Sequence, residues 1–319
     1  MIKNAFVIIS LIFIFSCSDR KIVTKNDDPN NNTNEIQISG AFALYPMVVK
    51  WAEEFKKENP EVRIDISGGG AGKGMTDVIS GIVDLGMVSR ELHKEEIKKG
   101  AYSITVAKDA VVATINENNP GLDHIKKIGL KKEVASKLWN NTISYWNQID
   151  KSSKNNYPIR IYTRADACGA AETWAAWINK KQEDLEGIAV YGDPGVASAV
   201  QKDKFAIGFN NIAYVYDLKS QKPYKGLTIL PIDINNNGII DKDENFYDDL
   251  KMLLKAVSEK KYPSPPARNL YIITKGKPIK PIVVKFLKFV LSKGQKYTLE
   301  NGYVALSEED RKEELKKLN

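Results

Sequence analysis

A repeated order of strand, small-residue turn and helix constrains the fold of this 319-residue chain more than any other feature of its sequence. Val62, Ile64 and Ile66 alternate with more polar residues, which is typical of a β-strand with one buried face. A glycine-rich turn over 68–72 comes next, followed by a helix and then by an apolar strand over 83–89. Such an alternation predicts an α/β fold with a largely parallel sheet.

The same order recurs in the rest of the chain. A strand at Ile36–Ser39 leads through a glycine turn to a helix that opens near Pro46, a residue suited to the first helical turn. Ser307 and Asp310 have the spacing of a capping box and predict a last helix over 307–319. Further elements are predicted as strands over 158–162, 205–209, 227–234 and 270–274, and as helices over 170–180, from near 246, and over 282–291.

The N-terminus has the features of an export signal. Lys3 precedes an apolar run over 5–15, which is too short for a membrane-spanning helix of about 20 residues. The residues before Cys17 resemble a bacterial lipobox, with an ordinary cleaved signal as the alternative. We therefore predict a lipoprotein signal peptide over 1–16, lipidation at Cys17 and a disordered tether over 17–34. The protein is then exported and membrane-anchored, in the periplasm or on the cell surface.

Composition excludes several classes of function. The hydrophobic content of 43% and the length suffice for two packed lobes. The formal net charge of +7 comes from Lys and Arg residues mixed with Asp and Glu along the whole chain, which argues against a nucleic-acid partner. With only two histidines, a His-based metal or catalytic site is not expected. Export also argues against functions that need ATP or NAD.

Three predicted turns, 40–45, 68–74 and 164–171, share one design: each joins the end of a strand to the start of a helix through small residues. Helix N-termini expose unpaired backbone N–H groups and a partial positive charge, so each turn can hold an anion. Arg164 adds a forked donor that suits a tetrahedral oxyanion. The three turns together predict an anion site.

Four segments in a fixed order carry a family resemblance: ISGAFALYPMVVKWAEEF, ISGGGAGKGMTDVISGIVDLGMVSREL, YTRADACGAAETWAAW and VYGDPGVASAVQKDKFAIGFNNI. They resemble the signatures of the phosphate-binding proteins of ABC phosphate transporters. The resemblance implies a two-lobed, type II periplasmic-binding-protein-like fold, with central mixed sheets flanked by helices and a hinge between the lobes. Lobe I would comprise 35–117 and 250–306, and lobe II would comprise 118–249. It also implies an ABC permease as partner and no enzymatic activity.

The same resemblance implies which residues bind inorganic phosphate or a similar oxyanion. Asp166 would orient Arg164, and either Asp166 or the Ser89 hydroxyl would accept the proton that phosphate keeps at neutral pH. The implied anion-binding set is Ala43, Leu44, Tyr45, Gly70, Ala71, Ser89, Arg164, Asp166, Cys168, Gly169 and Ala170.

This chain departs from the family in its turns, where Ser and Thr hydroxyls are common. Ala41, Phe42, Ala71, Cys168 and Ala170 stand in these turns, and each lost neutral hydrogen bond costs about 1 kcal/mol. The departures leave open weaker phosphate binding, another oxyanion, or a surface lipoprotein of the same fold with a structural or adhesive role. A nucleophilic Cys168 beside Arg164 is the enzymatic alternative, but no His partner for it is evident.

A second motif, DINNNGIIDKDE over 233–244, matches the pattern of a calcium loop at every ligand position. Gly238 occupies the sixth position, where the loop turns sharply. No helix is predicted directly before the motif, which favours a structural Ca²⁺ over a switch; no organic cofactor is expected. The predicted ligands are Asp233, Asn235, Asn237, the carbonyl of Ile239, Asp241 and Glu244.

Overall fold

The computed structural model of the chain describes residues 34–149 and 156–319. The predicted signal peptide, Cys17 and the tether up to residue 33 lie outside the described residues. The strands of the described part are β1 Glu35–Gly40, β2 Arg63–Gly68, β3 Leu85–Val88, β4 Ala101–Asn116, β5 Arg160–Arg164, β6 Ile188–Val190, β7 Ala206–Asn211, β8 Leu227–Ile229 and β9 Ala267–Lys275. Its helices are α1 Tyr45–Glu58, α2 Gly70–Ile79, α3 Lys94–Lys98, α4 Leu122–Ile128, α5 Lys132–Leu138, α6 Gly169–Trp177, α7 Gly192–Lys202, α8 Leu250–Ser258, α9 Pro281–Val290 and α10 Glu308–Lys316.

Strands β4 and β9 lie at the centre of a mixed sheet with the order β2-β1-β3-β9-β4-β7-β5-β6, and β8 also pairs with β4. Strands β1, β2 and β3 are parallel to one another, as are β5, β6 and β7. Strand β4 is antiparallel to both β9 and β7. The predicted α/β architecture with a central mixed sheet is therefore confirmed.

Two clusters of buried apolar side chains lie on either side of the middle of β4. Its first half, with Ile104 and Val106, packs into one cluster, and its second half, from Ala110 to Ile115, packs into the other. The second cluster also contains Leu250 and Leu254 of α8. The division into two lobes stays a prediction. The two clusters favour lobe boundaries, where the chain would pass from one lobe to the other, near residues 108 and 268 and not at the predicted residues 117 and 250.

Three local predictions differ from the structure. Helix α2 begins at Gly70 and therefore includes most of the turn predicted over 68–72. A Cβ on Gly74 would lie 2.8 Å from the Cα of Gly40, so the glycines allow the helix to pack directly on β1. Strand β8 ends at Ile229, well before residue 234. Helix α8 begins at Leu250 and not near 246, because Asp249 caps it by accepting from the Lys251 N–H at 2.9 Å.

The last predicted helix is confirmed as α10, with the Ser307 side chain accepting from the Asp310 N–H at 3.0 Å. Across the described ranges, no helix combines the length and the apolar character that crossing a bilayer requires.

Candidate functional site

The candidate site lies where the carboxyl ends of four strands meet. Strands β1, β2, β3 and β5 end at Gly40, Gly68, Val88 and Arg164, and helices α1, α2 and α6 begin shortly after β1, β2 and β5. Ligands of open α/β sheets bind in this position, outside the carboxyl ends of the strands. The three predicted anion turns are therefore brought together.

The Arg164 guanidinium is buried between two carboxylates. Its Nε and Nη2 donate to Asp166 at 2.9 and 2.6 Å, and its Nη1 donates to Asp193 Oδ2 at 2.5 Å. The side chains of Arg164 and Asp193 are each 1% exposed. Burial alone would lower the pKa of Arg164, but the charges of Asp193 and Asp166 outweigh this effect and raise it above its ordinary value. The arginine is therefore charged, and its charge is already balanced within the protein.

Asp193, at the start of α7, is fixed by the end of β7. Its Oδ1 accepts from the Asn211 N–H at 3.0 Å, and its carbonyl accepts from Asn210 Nδ2 at 2.9 Å. Asn211 in turn accepts from Arg268 of β9, which also makes a bidentate pair with Asp109 of β4 at 2.8 and 3.1 Å. A chain of charged and amide groups therefore links the central strands to the site arginine.

Cys168 caps helix α6 and lies beside Arg164. Its Sγ accepts from the Ala171 N–H at 3.4 Å, and its own N–H donates to Gln182 Oε1 at 3.2 Å. Burial raises the pKa of the Cys168 thiol to about 12, although the charge of Arg164 acts in the opposite direction. A nucleophilic cysteine needs a lowered pKa, so this environment argues against the enzymatic alternative.

A small cavity encloses the meeting point of these turns. The empty space among its lining residues, about 140 Å³ in all, is nowhere wide enough to admit a water molecule, whereas pockets for organic ligands measure roughly 300 to 1,000 Å³. This space is therefore far too small for an organic ligand. The lining residues are Ala41, Phe42, Ala43, Gly70, Ala71, Ser89, Arg164, Cys168, Ala170, Asp193 and Asn211.

Seven residues of the predicted anion-binding set line this cavity, and four do not: Leu44, Tyr45, Asp166 and Gly169. The Leu44 and Tyr45 N–H groups donate to the Ala41 and Phe42 carbonyls at 3.1 and 3.2 Å. Asp166 holds Arg164 from behind, in the orienting position that the family resemblance implies. The assignment of these residues as anion ligands stays a prediction.

Three polar or aromatic lining residues are absent from the predicted set: Phe42, Asp193 and Asn211. The Phe42 ring packs edge-on against Tyr191, with ring centroids 5.8 Å apart, and its centroid lies 5.8 Å from the Arg164 guanidinium carbon. Asp193 carries one sequence signal, an acidic side chain in the first turn of a helix that follows a strand. That signal is common and does not by itself identify a site residue.

Several contacts join the two sides of the cavity. The Gly72 N–H donates to the Ala167 carbonyl at 3.3 Å. Arg90 Nε lies 2.9 Å from Glu172 Oε1, and His93 Nε2 lies 3.4 Å from Glu172 Oε2. These contacts connect the segments after β2 and β3 with Ala167 and with Glu172 in the first turn of α6, so the two sides of the cavity touch.

A larger cavity of about 1050 Å³ lies beside the middle of β4. Three of its basic residues already have acidic partners: Arg90 pairs with Glu96, Lys108 with Asp310, and Arg268 with Asp109. None of the three predicted anion turns lines this larger cavity in the described part of the chain, so we place the candidate site in the small cavity.

The predicted calcium loop forms a compact turn. Asp233 accepts from the N–H groups of Asn237 and Gly238 at 3.1 and 2.8 Å. Glu244 accepts from the Asn235 N–H at 2.9 Å, and Gly238 has a φ of +90°. No group of three or more His, Cys, Asp or Glu side chains in residues 34–149 and 156–319 is arranged to hold a metal. The ligand set, which also uses amide and carbonyl oxygens, stays a prediction.

Comparisons with known proteins identify the family of this chain. The model of the PBP superfamily domain matches residues 26–293. The phosphate-binding protein PstS of Methanocaldococcus jannaschii is 24% identical over an alignment of 362 positions, which includes 97% of this chain and 92% of that protein. PstS of Bacillus subtilis is 28% identical over 233 residues, which cover 69% and 74%.

Solved structures show the same fold. A substrate-binding protein from Clostridium perfringens, solved with bound phosphate, superposes with a TM-score of 0.70 at 23% identity, covering 86% of this chain and all of that one. An ABC-type phosphate transport receptor from Vibrio cholerae gives a TM-score of 0.62 at 19% identity, covering 85% and 100%. The chain belongs to the PBP superfamily, and its relatives there are PstS-like phosphate-binding proteins.

Proposed function

We propose that this protein captures inorganic phosphate, or a related tetrahedral oxyanion, between two lobes and delivers it to an ABC importer. The observation that carries the proposal is the buried Arg164, which lines a small closed cavity together with the first residues of two helices, α2 and α6. Its PstS relatives are phosphate-binding proteins, which supports the same class of ligand here.

The ligand would be held mainly by backbone groups. The first N–H groups of α2 and α6 have no partner within their helices, and both helices present these ends to the cavity. Ser89 would add a hydroxyl, and the N–H groups of Arg164 that do not face Asp166 or Asp193 would add charged donors. Because Ala43, Ala71 and Ala170 have no hydroxyl, few side-chain donors supplement the backbone.

Capture would proceed by lobe closure. The Gly72 to Ala167 hydrogen bond and the Arg90 to Glu172 ion pair form only when the two sides of the cavity approach each other. Strands β4 and β9 cross between the two apolar clusters and would act as the hinge. The closed state excludes water, which strengthens each hydrogen bond to the ion.

The test is calorimetric titration of the ligand-stripped protein with phosphate, and with arsenate, sulfate and molybdate in parallel. We expect phosphate to bind with micromolar affinity or better, and Arg164→Ala to abolish the heat. If another oxyanion bound tightly in place of phosphate, the proposed capture mechanism would stand and the proposed substrate would change.

A surface lipoprotein without tight anion binding is the second candidate function. The small side chains at Ala43, Ala71 and Ala170 favour it, as does the neutralisation of Arg164 by two carboxylates. It predicts no heat and no thermal shift with any of the four anions, a result that would refute the uptake function.

We also propose that the protein is exported and lipid-anchored at Cys17. The proposal rests on the sequence alone, since Cys17 lies outside the described residues. Metabolic labelling with a radioactive fatty acid tests it. We expect the wild-type protein to be labelled and Cys17→Ser to be unlabelled and released from the membrane; labelling of Cys17→Ser would contradict the assignment.

Finally, we propose that loop 233–244 binds a structural Ca²⁺. The Nδ2 groups of Asn235 and Asn237 both donate to the same oxygen of Asp241, at 2.7 and 2.8 Å. Rotating each amide would point its Oδ1, and not its Nδ2, towards the Asp241 carboxylate. A cation between these side-chain oxygens would then replace the two amide N–H donors. Glu244 lies at the position of the bidentate ligand.

Thermal unfolding with Ca²⁺ or with Mg²⁺ tests the calcium proposal. A ligand that binds only the folded state raises the melting temperature, so Ca²⁺ should stabilise the protein and Mg²⁺ should do so much less. Asp241→Asn should remove the effect of Ca²⁺, whereas Asp243→Asn, at a position without a ligand role, should keep it. If Ca²⁺ changed the melting temperatures of the two variants equally, the proposed calcium site would be wrong.

A further inference from the structure

Asn34, the first described residue, lies at the end of the sheet opposite the candidate site. Strands β1, β2 and β3 run parallel with their carboxyl ends at the site, so their first residues lie at the other end. Strand β9 is antiparallel to β3 and pairs Lys275 with Ala101, the first residue of β4, so β9 ends there too. We call this surface the tether end, because the predicted tether joins the domain at Asn34. It comprises residues 34–35, 80–84, 97–101 and 275–280.

Three isoleucines of the tether end are exposed to solvent. Ile279 is 88% exposed, more than any other large apolar side chain in residues 34–149 and 156–319. Ile82 and Ile97 are 63% and 55% exposed. A group of exposed apolar side chains on one surface is typical of a site that meets a partner or a membrane.

Two contacts hold the segments of the tether end together. Lys280 Nζ donates to Asp84 Oδ1 at 3.0 Å, and the Gly276 N–H donates to the Gly100 carbonyl at 2.7 Å. Each of the three isoleucines stands within three residues of one of these contacts in the sequence. The isoleucines therefore belong to one surface that the fold keeps in place.

The tether end is positively charged. It contains five lysines and two acidic residues, Glu35 and Asp84, so its formal side-chain charge is +3. Both acidic residues are paired, Asp84 with Lys280 and Glu35 with Arg63, at 3.0 and 3.8 Å. Three of the lysines are exposed and have no acidic partner within the described part of the chain: Lys98, Lys99 and Lys275. Their charges are therefore free to meet an anionic surface.

We propose that the tether end lies on an anionic lipid surface, an inference that depends on the proposed lipid anchor at Cys17. The 17 residues 18–34 span at most about 60 Å, whatever their conformation, so the anchor keeps the tether end close to the bilayer. Because the anchor is part of the same chain, even a weak contact with the lipid surface is well populated.

Both kinds of exposed side chain suit this lipid surface. Each lysine near anionic headgroups strengthens the contact by about five-fold, and exposed isoleucines enter the boundary between headgroups and acyl chains. The candidate site lies at the opposite ends of β1, β2 and β3, so the contact leaves it accessible to anions from solution.

The test uses the full chain, purified from membranes in detergent and reconstituted into vesicles of phosphatidylcholine, alone or in equal mixture with phosphatidylglycerol. Ile279→Cys carries a polarity-sensitive fluorophore, and a doxyl-labelled lipid quenches any fluorophore that enters the bilayer. Met252→Cys is the matched control, since Met252 is 52% exposed and its helix, α8, packs into the other apolar cluster. The wild-type protein, treated with the same reagent, measures any reaction at Cys168.

We expect the label at position 279 to be quenched several-fold more with phosphatidylglycerol than without it, and the label at position 252 to be quenched equally in both vesicles. High salt should remove the difference, because it screens the lysines. Combined Lys98→Gln, Lys99→Gln and Lys275→Gln should also remove it. The control for total charge, which should keep the difference, replaces three exposed lysines outside the tether end: Lys180→Gln, Lys219→Gln and Lys225→Gln.

Equal quenching at positions 279 and 252 would overturn the lipid contact. Burial of the label at 279 without any dependence on phosphatidylglycerol would also overturn it and would indicate that a second copy of the chain covers the isoleucines. In both cases, flotation of the protein with the vesicles would leave the lipid anchor standing. A wild-type protein that floats with neither kind of vesicle would overturn the anchor and the lipid contact together.

Discussion

Gly169, the first residue of α6, lies directly against Ser89 at the end of β3. A Cβ on Gly169 would lie 2.2 Å from the Ser89 backbone oxygen and 2.4 Å from its Oγ. Val88 belongs to one apolar cluster and Ala170 to the other, so this contact joins the two sides of the candidate site. Only a glycine at position 169 lets the sides approach this closely.

Gly169→Ala should therefore weaken anion binding without unfolding the protein. The added methyl group would hold the two sides apart, and because backbone atoms limit the space, the clash cannot be relieved by rotating a side chain. We expect a loss of at least about ten-fold in phosphate affinity, measured by calorimetry, with little change in the melting temperature of the ligand-free protein.

Gly195→Ala is the control for this variant. Its added methyl group would meet Val190 Cγ1, 2.8 Å away, and no atom across the cavity. It should therefore cost stability but leave affinity nearly unchanged. If both variants bound phosphate as tightly as the wild-type protein, closure at Gly169 would not be part of binding.

The local elements of the fold could be predicted from the sequence because their apolar spacing is local information. Strand β4 was harder to anticipate, since its 16 residues mix apolar, charged and small side chains and have no single period. The partner of its first half is β9, in which Arg268 lies opposite Asp109. A pairing over such a separation in sequence leaves no local signal.

The site was predictable only in part for the same reason. Arg164 and Asp166 stand two residues apart in one turn, so their pairing can be inferred from the sequence. Asp193 reaches Arg164 from another turn, 29 residues later. Its identity as a site residue depends on how α7 packs beside β5, and that is decided by tertiary contacts.

The ion pair between Arg90 and Glu172 should slow the release of the anion. It joins the two sides of the cavity, and Arg90 is buried. Glu172→Gln removes one charge of the pair and should raise the dissociation rate of phosphate about three- to ten-fold, since a partly buried pair contributes more than an exposed one. Stopped-flow displacement measures the rate. Glu259→Gln, which breaks an exposed pair with Lys261, is the control and should leave the dissociation rate unchanged. Equal dissociation rates in the wild-type protein and both variants would contradict a role of the Arg90–Glu172 pair in anion release.

Glu96 should make stability depend on pH in the acid range. Burial raises its pKa, but the hydrogen bonds from Arg90 and from the His93 N–H outweigh burial and lower it below the ordinary value of Glu. A lowered pKa in the folded state stabilises the protein above the ordinary pKa of about 4.3, and this stabilisation is lost as the pH falls through the lowered value.

Glu96→Gln should therefore cost about 1 kcal/mol in the free energy of unfolding at pH 7, and much less at pH 3. Urea unfolding at the two pH values measures the difference. Glu95→Gln, at an exposed neighbouring position, serves as the control. A cost that is the same at both pH values would mean that Glu96 acts through packing and not through its charge.

Cys168 should be inert to alkylation while the protein is folded. Its side chain is buried, and burial raises the pKa of its thiol to about 12, so at pH 8 very little reactive thiolate is present and reagents cannot reach it. Treatment with iodoacetamide followed by peptide mass spectrometry should show almost no modification at Cys168 in native buffer, and complete modification in guanidinium chloride. Bound phosphate should reduce the native rate further, because it holds the cavity closed around Cys168 and Ala170. Rapid alkylation of the folded, phosphate-bound protein would contradict the closed cavity and would reopen the assignment of Cys168 as a reactive residue.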